Sequence, residues 1–225
     1  MIGQISAKPE TIVSAAHGAM RRRAAGAVLA GGAAIFFLAE FIAAAAWTDP
    51  PYSYTYHYIS DLGVHGPLEA LGQYMYSPLA WVMNTGFFLF GVSVFAGVAL
   101  LDGLRTWRRW VLLVLATLVG AGGVLLAFFP GDGEADRLGK VDYHGLGAMA
   151  AIVGGNVLII LLGRLHRQLG AIVMLGAFGL VSTVAFLAVA GSGANVLVGL
   201  AERCAVYPVL IGLICAGVSV GKRRP

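Results

Sequence analysis

Six apolar runs dominate this sequence, and each is long enough to cross a bilayer as a helix. A helix rises 1.5 Å per residue, so roughly 20 apolar residues span the ~30 Å hydrocarbon layer. The chain is therefore predicted to be an all-α polytopic membrane protein with six transmembrane helices. The runs cover about residues 24–47, 79–101, 110–129, 146–162, 171–190 and 196–220.

The composition agrees with a membrane protein. Of the 225 residues, 59% are hydrophobic and 12% are charged, against roughly 25% charged residues in a soluble domain. The first run is longer than the roughly 7–15 apolar residues of a signal peptide, so it predicts a retained helix. The net charge of +4 comes from short basic clusters beside the apolar runs, which indicate topology and not a nucleic-acid partner.

The charged residues separate onto two sides of the predicted membrane. Basic clusters at 21–23, 105–109, 164–167 and 222–224 alternate with loops in which acidic residues predominate. Because cytoplasmic loops carry the excess of Lys and Arg, both termini are expected in the cytoplasm and the chain is expected to be a multi-pass protein of the cell membrane. The predicted parts are a cytoplasmic tail, a six-helix transmembrane domain and a basic cytoplasmic tail, over residues 1–23, 24–221 and 222–225.

Residues 52–66 form the most polar and aromatic stretch of the chain. If this segment were helical, His57, Asp61 and His65 would share one face, because they are spaced four residues apart. Gly63 predicts that any such helix ends near residue 63. The tyrosines of the segment alternate with period two, which favours an extended or interfacial segment whose polar groups bond to the helix ends.

Zinc is a candidate cofactor because the same side of the protein carries its ligand types. A catalytic zinc needs three protein ligands and one open position for water. The spacing matches no established zinc signature, and hydrogen bonding within the loop is the alternative role for these side chains. The candidate ligands are His57, Asp61, His65 and His144.

Glu40 lies inside the first apolar run, where an ionisable group is costly and usually faces a partner or an aqueous cavity. Arg203, near the start of the last run, is the expected partner, and Asp61 competes with Glu40 for it. Glu202 precedes Arg203 directly, so the two side chains point about 100° apart on a helix. A structural Glu40–Arg203 pair is one interpretation, and a proton or substrate site is the other.

Four short motifs together resemble a known family. They are YHYISDLG at 56–63, FFPGD at 128–132, DYHGLGA at 142–148 and GLAER at 199–203. In combination they are similar to the prokaryotic integral membrane proteins catalogued as domain of unknown function 998. The resemblance covers about residues 25–220. It implies a six-helix membrane bundle and supplies no catalytic residues.

A more distant similarity is to alkaline ceramidase-type membrane hydrolases, which use a Ser, an Asp and three His on zinc within a helix bundle. The similarity implies hydrolysis of a lipid amide or ester. The chain departs from that pattern because it has no histidine after residue 166, whereas those enzymes carry paired histidines on a late helix. The residues of matching type are Ser60, Asp61, His57, His65 and His144.

Three functions follow as hypotheses. The first is a non-enzymatic membrane protein whose polar pocket, on the non-cytoplasmic face, binds a lipid, a small molecule or a membrane partner. The second is a zinc-dependent lipid hydrolase, and the third is a small transporter that uses Glu40 and Arg203. Enzymatic activity, the ligand and the oligomeric state stay open. The expected pocket residues are Glu40, His57, Ser60, Asp61, His65, Asp132, His144, Glu202 and Arg203.

Overall fold

The structure, a computed structural model, describes residues 9–165, 170–193 and 196–222. Each of the six predicted spans is a helix that is long and apolar enough to cross a membrane, which confirms the all-α polytopic fold. The first helix already begins at Pro9, within the predicted N-terminal tail, while His166, Arg167, Arg223 and Arg224 lie outside the described residues. The long helices are α1 (Pro9–Ala46), α2 (Ala80–Ala99), α3 (Thr106–Phe128), α5 (Tyr143–Leu165), α6 (Gly170–Gly191) and α7 (Val198–Gly221).

The six long helices form a closed ring. Each helix contacts the next long helix along the chain, and α7 returns to contact α1. The helices α5 and α7 also contact each other, which leaves α6 outside that pair. The centre of the bundle is therefore enclosed by α1, α2, α3, α5 and α7.

Glycines let neighbouring helices approach at backbone distance. A Cβ atom on Gly91 of α2 would lie 2.8 Å from the carbonyl oxygen of Gly120 on α3, closer than a side chain can sit. Likewise, a Cβ on Gly155 of α5 would lie 2.6 Å from a methyl group of Val209 on α7. Small residues at helix contacts are the usual basis of packing in a membrane, where van der Waals contact replaces the hydrophobic effect.

The chain between α1 and α2 folds over one end of the ring. We call residues 47–79 the cap, and the end that they cover the capped end. Leu62 and Met75 of the cap are fully buried against the helices, so the cap is a packed part of the domain. The loop 129–142 lies at the same end, because Gly133 adjoins Ala70 of the cap. The short elements are a 3-10 helix (Ser60–Gly63), β1 (Leu68–Ala70) paired antiparallel with β2 (Gln73–Met75), and α4 (Glu134–Leu138).

Candidate functional site

Arg203 and Glu40 form a buried ion pair between α7 and α1. Nη2 of Arg203 lies 2.9 Å from Oε1 of Glu40, and Nε donates to the same oxygen at 3.1 Å. The hydroxyl of Tyr207 donates to that oxygen as well, at 3.0 Å. Glu40 is 0% exposed and Arg203 is 4% exposed. The partner that the sequence predicted for Glu40 is confirmed, whereas Asp61 forms no ion pair with Arg203.

The guanidinium of Arg203 also holds the cap in place. Its Nη1 donates to the backbone carbonyls of Tyr54, at 2.8 Å, and His57, at 3.1 Å. Its Nη2 donates to the hydroxyl of Tyr52 at 2.5 Å, and that hydroxyl donates to the carbonyl of Tyr58 at 2.8 Å. Because the planar fork of arginine carries five N–H donors, one buried cation can join α1, α7 and the cap.

His57 packs into an aromatic cluster of the cap. Its ring lies 4.8 Å from the ring of Trp47 and stacks on Tyr52 at 5.3 Å. Nδ1 accepts the N–H of Ser53 at 2.9 Å, so the proton of the neutral imidazole is on Nε2. Burial, and secondarily the charge of Arg203, lowers the pKa of His57. The neutral ring is a structural part of the cap.

Two carboxyl groups accept hydrogen bonds from successive backbone N–H groups of the cap. Oδ2 of Asp61 accepts from Tyr58 at 2.8 Å, and Oε2 of Glu202 accepts from Ile59 at 2.5 Å. Oδ1 of Asp61 is buried and has no partner in the described part of the chain. Burial, and then the nearby charge of Glu202, raises the pKa of Asp61 well above 3.8. Asp61 therefore keeps its proton at pH values where an exposed aspartate has lost it.

A narrow cavity lies in the centre of the bundle, directly beneath the cap. Among the long helices, α6 alone contributes no described residue to its wall. The centres of water-sized spheres have about 50 Å³ of room in it, whereas about 10–15 Å³ is enough for one water. Its polar lining is at the capped end, and its apolar lining continues inward. The principal lining residues are Ser60, His144, Glu202, Phe36, Phe90 and Val209.

His144, in the first turn of α5, lies between this cavity and a groove on the outside of the bundle. Its Nδ1 lies 2.8 Å from the carbonyl oxygen of Phe129. Since a carbonyl only accepts, Nδ1 carries the proton and Nε2 is the acceptor of the neutral ring. Asp132 lines the outer groove and not the cavity, and its Oδ1 accepts the N–H of Glu134 at 2.9 Å.

The four predicted metal ligands are not brought together. His65 is exposed, whereas His57 and Asp61 are buried against different partners. Only Ser60–Gly63 is helical in this stretch, so the three residues do not share a helix face, although the helix does end at residue 63 as predicted. In the described ranges, no three His, Cys, Asp or Glu side chains form a group that could hold a metal ion. Zinc binding stays a prediction.

Two tyrosines that complete the site were not among the predicted pocket residues. Tyr52 belongs to the alternating tyrosines that favoured an interfacial segment, but its hydroxyl bonds to the buried guanidinium. Tyr207 lies one turn after Arg203 on the same face of α7 and bonds to Glu40. The spacing of four residues was the available signal, because residues at i and i+4 of a helix are neighbours.

Comparison with known proteins identifies a family for this chain. Residues 28–219 match the family described as "Protein of unknown function (DUF998)". No curated protein and no solved structure matches the chain. The matched range contains Glu40, the cap and the Glu202–Arg203 pair, and it ends within the last helix. The resemblance predicted from the four short motifs is thereby confirmed, and this chain, with its six membrane-spanning helices, belongs to the DUF998 family of proteins of unknown function.

Proposed function

We propose that the protein binds a single-chain amphiphile in the central cavity, with the head group at the capped end and the hydrocarbon chain between the helices. The observation that carries this proposal is the chemical division of the cavity wall. Ser60, His144 and Glu202 are its polar residues, and the other lining residues in the described chain are apolar. A ligand with one polar and one apolar end matches that division.

The two helices that supply most of the cavity wall each carry one polar lining residue near the capped end and apolar lining residues further along. On α7, Glu202 is followed on the same face by Val206, Val209 and Leu210. On α5, His144 is likewise followed by apolar lining residues four, seven and eight positions later, and the last of these is Ile152. Eight residues of helix rise about 12 Å, so the apolar wall can accompany a hydrocarbon chain over roughly that length. The small volume favours a single chain over a ring system.

The polar end favours a head group that donates hydrogen bonds. Glu202 lines the cavity, and its Oε2 is occupied by the N–H of Ile59, so Oε1 is the oxygen that can accept from a ligand. The neutral ring of His144 adds an acceptor nitrogen, and the hydroxyl of Ser60 can accept or donate. An amine or alcohol head group satisfies these acceptors, whereas a carboxylate head group would meet the charge of Glu202.

The orientation of the protein in the membrane is part of the same proposal. The basic clusters of the sequence support cytoplasmic termini by the positive-inside rule. That orientation puts the capped end, and with it the head group, on the non-cytoplasmic side of the cell membrane. The ligand would then enter from the outer leaflet or from the outside.

Thermal unfolding of the purified protein in detergent tests the proposal with three ligands of equal chain length. Dodecylamine and dodecanol are expected to raise Tm, and dodecanoate is not. A ligand at 100 times its Kd stabilises the folded state by about 2.7 kcal/mol, which is readily measured. Equal stabilisation by all three ligands would contradict recognition of the head group.

Matched variants separate the cavity from the detergent micelle. Ala148→Leu fills the cavity, whereas Ala34→Leu adds the same atoms to an exposed position on α1. The Tm increase should disappear in the first variant and persist in the second. If Ala148→Leu responds to dodecylamine as the wild type does, the ligand binds elsewhere and the proposal is wrong.

A further inference from the structure

A second groove lies between α3 and α5 at the end of the bundle opposite the cap, which we call the basic end. The centres of water-sized spheres have about 230 Å³ of room in it. Arg108 stands near the start of α3 and Arg164 near the end of α5, so both are at the mouth of the groove. The apolar residues of the wall are Val111, Leu112, Leu161 and Leu165.

The two arginines of this groove have no carboxylate partner among the described residues. The nearby carboxylate of Asp102 pairs with Arg21 at 3.0 Å and with Arg109 at 3.8 Å. Arg109 also donates to the carbonyl of Leu101 at 2.9 Å. By contrast, within the described residues neither Arg108 nor Arg164 forms an ion pair, and both are exposed.

Trp107 indicates the depth of this groove in the bilayer. Tryptophan is enriched where the hydrocarbon layer meets water, and Trp107 lines the mouth of the groove. Its ring lies 5.4 Å from the guanidinium carbon of Arg108. The two arginines are therefore at head-group level, and Val111 and Leu161 lie about one turn deeper, at the level of the acyl chains.

We propose that this groove binds an anionic phospholipid, with its phosphate between Arg108 and Arg164 and an acyl chain along the apolar wall. Arginine binds phosphate through paired, charge-assisted hydrogen bonds. Basic pockets between transmembrane helices are suited to anionic head groups. The apolar wall below the arginines is what distinguishes a lipid site from a site for free phosphate.

The surroundings of the groove strengthen its positive potential. A neighbouring groove shares Arg108 and Leu165 with it and adds Arg22 and Arg105. The carboxylate of Asp102 also lines that neighbour, but its two ion pairs offset its charge. A head group larger than a bare phosphate can therefore extend from the first groove towards the second without meeting an unpaired carboxylate.

Native mass spectrometry of the purified chain tests this inference. The protein in detergent is titrated with phosphatidylglycerol and with phosphatidylcholine of the same acyl chains. We expect phosphatidylglycerol to bind about tenfold more tightly. The variant Arg108→Gln/Arg164→Gln should lose this preference, and both positions are exposed, where substitutions are usually tolerated.

The control is Arg23→Gln/Lys222→Gln, which removes the same charge from exposed residues that line neither groove. It should keep the tenfold preference. Equal loss in both double variants would overturn the inference, because only the overall charge would then matter. Displacement of bound phosphatidylglycerol by millimolar inorganic phosphate would also overturn it, since the site would then recognise the anion alone.

A charge-retaining variant covers the case in which the glutamine variant does not fold. Arg108→Lys/Arg164→Lys keeps both charges and removes the planar fork that pairs with phosphate. Its preference for phosphatidylglycerol should fall severalfold below that of the wild type. An undiminished preference would contradict the assigned arginine–phosphate contacts.

Discussion

Arg203 and Glu40 lie on the last and first helices of the ring, and their side chains meet at 2.9 Å in the interior of the bundle. Neither group reaches water, with side-chain exposures of 5% and 0%. The charge of each is therefore compensated by the other and by hydrogen bonds alone. Arg203 also donates hydrogen bonds to three residues of the cap. The pair therefore joins the first helix to the last and, through Arg203, holds the cap over the end of the ring.

Removing the carboxylate of this pair should destabilise the protein. Glu40→Gln keeps an acceptor for Tyr207 but leaves the charge of Arg203 buried without a counterion. Breaking a buried pair in this way costs about 3–5 kcal/mol, which should appear in the free energy of unfolding measured in detergent. Asp102→Asn is the control, because its partly exposed pairs with Arg21 and Arg109 should each contribute about 1 kcal/mol or less.

The same variant distinguishes a structural carboxylate from a transport site. If Glu40→Gln accumulates and unfolds like the wild type, the pair does not stabilise the fold. Loss of ion or proton flux in such a stable variant, reconstituted in vesicles, would support the transporter hypothesis. We expect the opposite result, a poorly stable protein.

A second prediction concerns the Tyr52 hydroxyl, which links Arg203 to the carbonyl of Tyr58. Tyr52→Phe removes a hydrogen bond from a charged donor, worth about 1.5–3 kcal/mol. We expect faster hydrogen exchange and proteolysis within residues 47–79 than in the wild type. Tyr74→Phe removes a hydroxyl without a hydrogen bond in the described structure and should leave both rates unchanged. Equal effects of the two variants would show that the aromatic ring, and not the hydroxyl, matters.

The fold could be predicted because its strongest signals are local. Each span is a continuous apolar run, and length alone identifies it. The Glu40–Arg203 pair could also be predicted, since the cost of a charge in lipid requires a partner and few cations were in reach. The short helix ends at residue 63, as predicted, and Val64 continues the chain in an extended conformation.

The interior of the site could not be predicted, because it depends on contacts between distant segments. His57, Asp61 and His65 are spaced to share one face of a helix, but turns from Ser53 onward direct them to different surroundings. The apolar wall of the cavity, which includes Phe36, is made of the same residue types as the lipid-facing sides of the helices, so the sequence alone does not distinguish it. It becomes a cavity only because the contact of α1 with α7 closes the ring.

The pH dependence of the free energy of unfolding should reveal that Asp61 keeps its proton in the folded protein. Its raised pKa means that the folded protein keeps a proton that the unfolded chain releases above about pH 4. The free energy of unfolding therefore falls as the pH rises from about 4 towards the folded pKa, by up to ~1.4 kcal/mol per pH unit. Glu202, Tyr58 and Arg203 are the neighbours that set this pKa.

Asp61→Asn should remove this contribution, so its stability relative to the wild type should increase with pH over the same window. His57 acts in the opposite direction, because its lowered pKa makes stability fall as the pH drops below about 6.5. Urea or thermal unfolding in detergent at pH 4 to 8 separates the two contributions. A constant difference between Asp61→Asn and the wild type across this range would contradict a buried, protonated Asp61.

The last prediction tests how closely the cap rests on α7. A Cβ atom on Gly199 would lie 2.9 Å from the carbonyl oxygen of Tyr54 and closer still to that of His57, and both carbonyls accept from Arg203. Gly199→Ala therefore cannot be accommodated without moving the cap from the guanidinium, and overpacking of this kind costs about 1–3 kcal/mol. Gly31→Ala is the control, because its Cβ meets no atom within 4 Å and alanine favours the helix. Thermal unfolding should show a lower Tm for the first variant and an equal or higher Tm for the second, and an unchanged Tm in Gly199→Ala would mean that the cap does not rest on α7 as described.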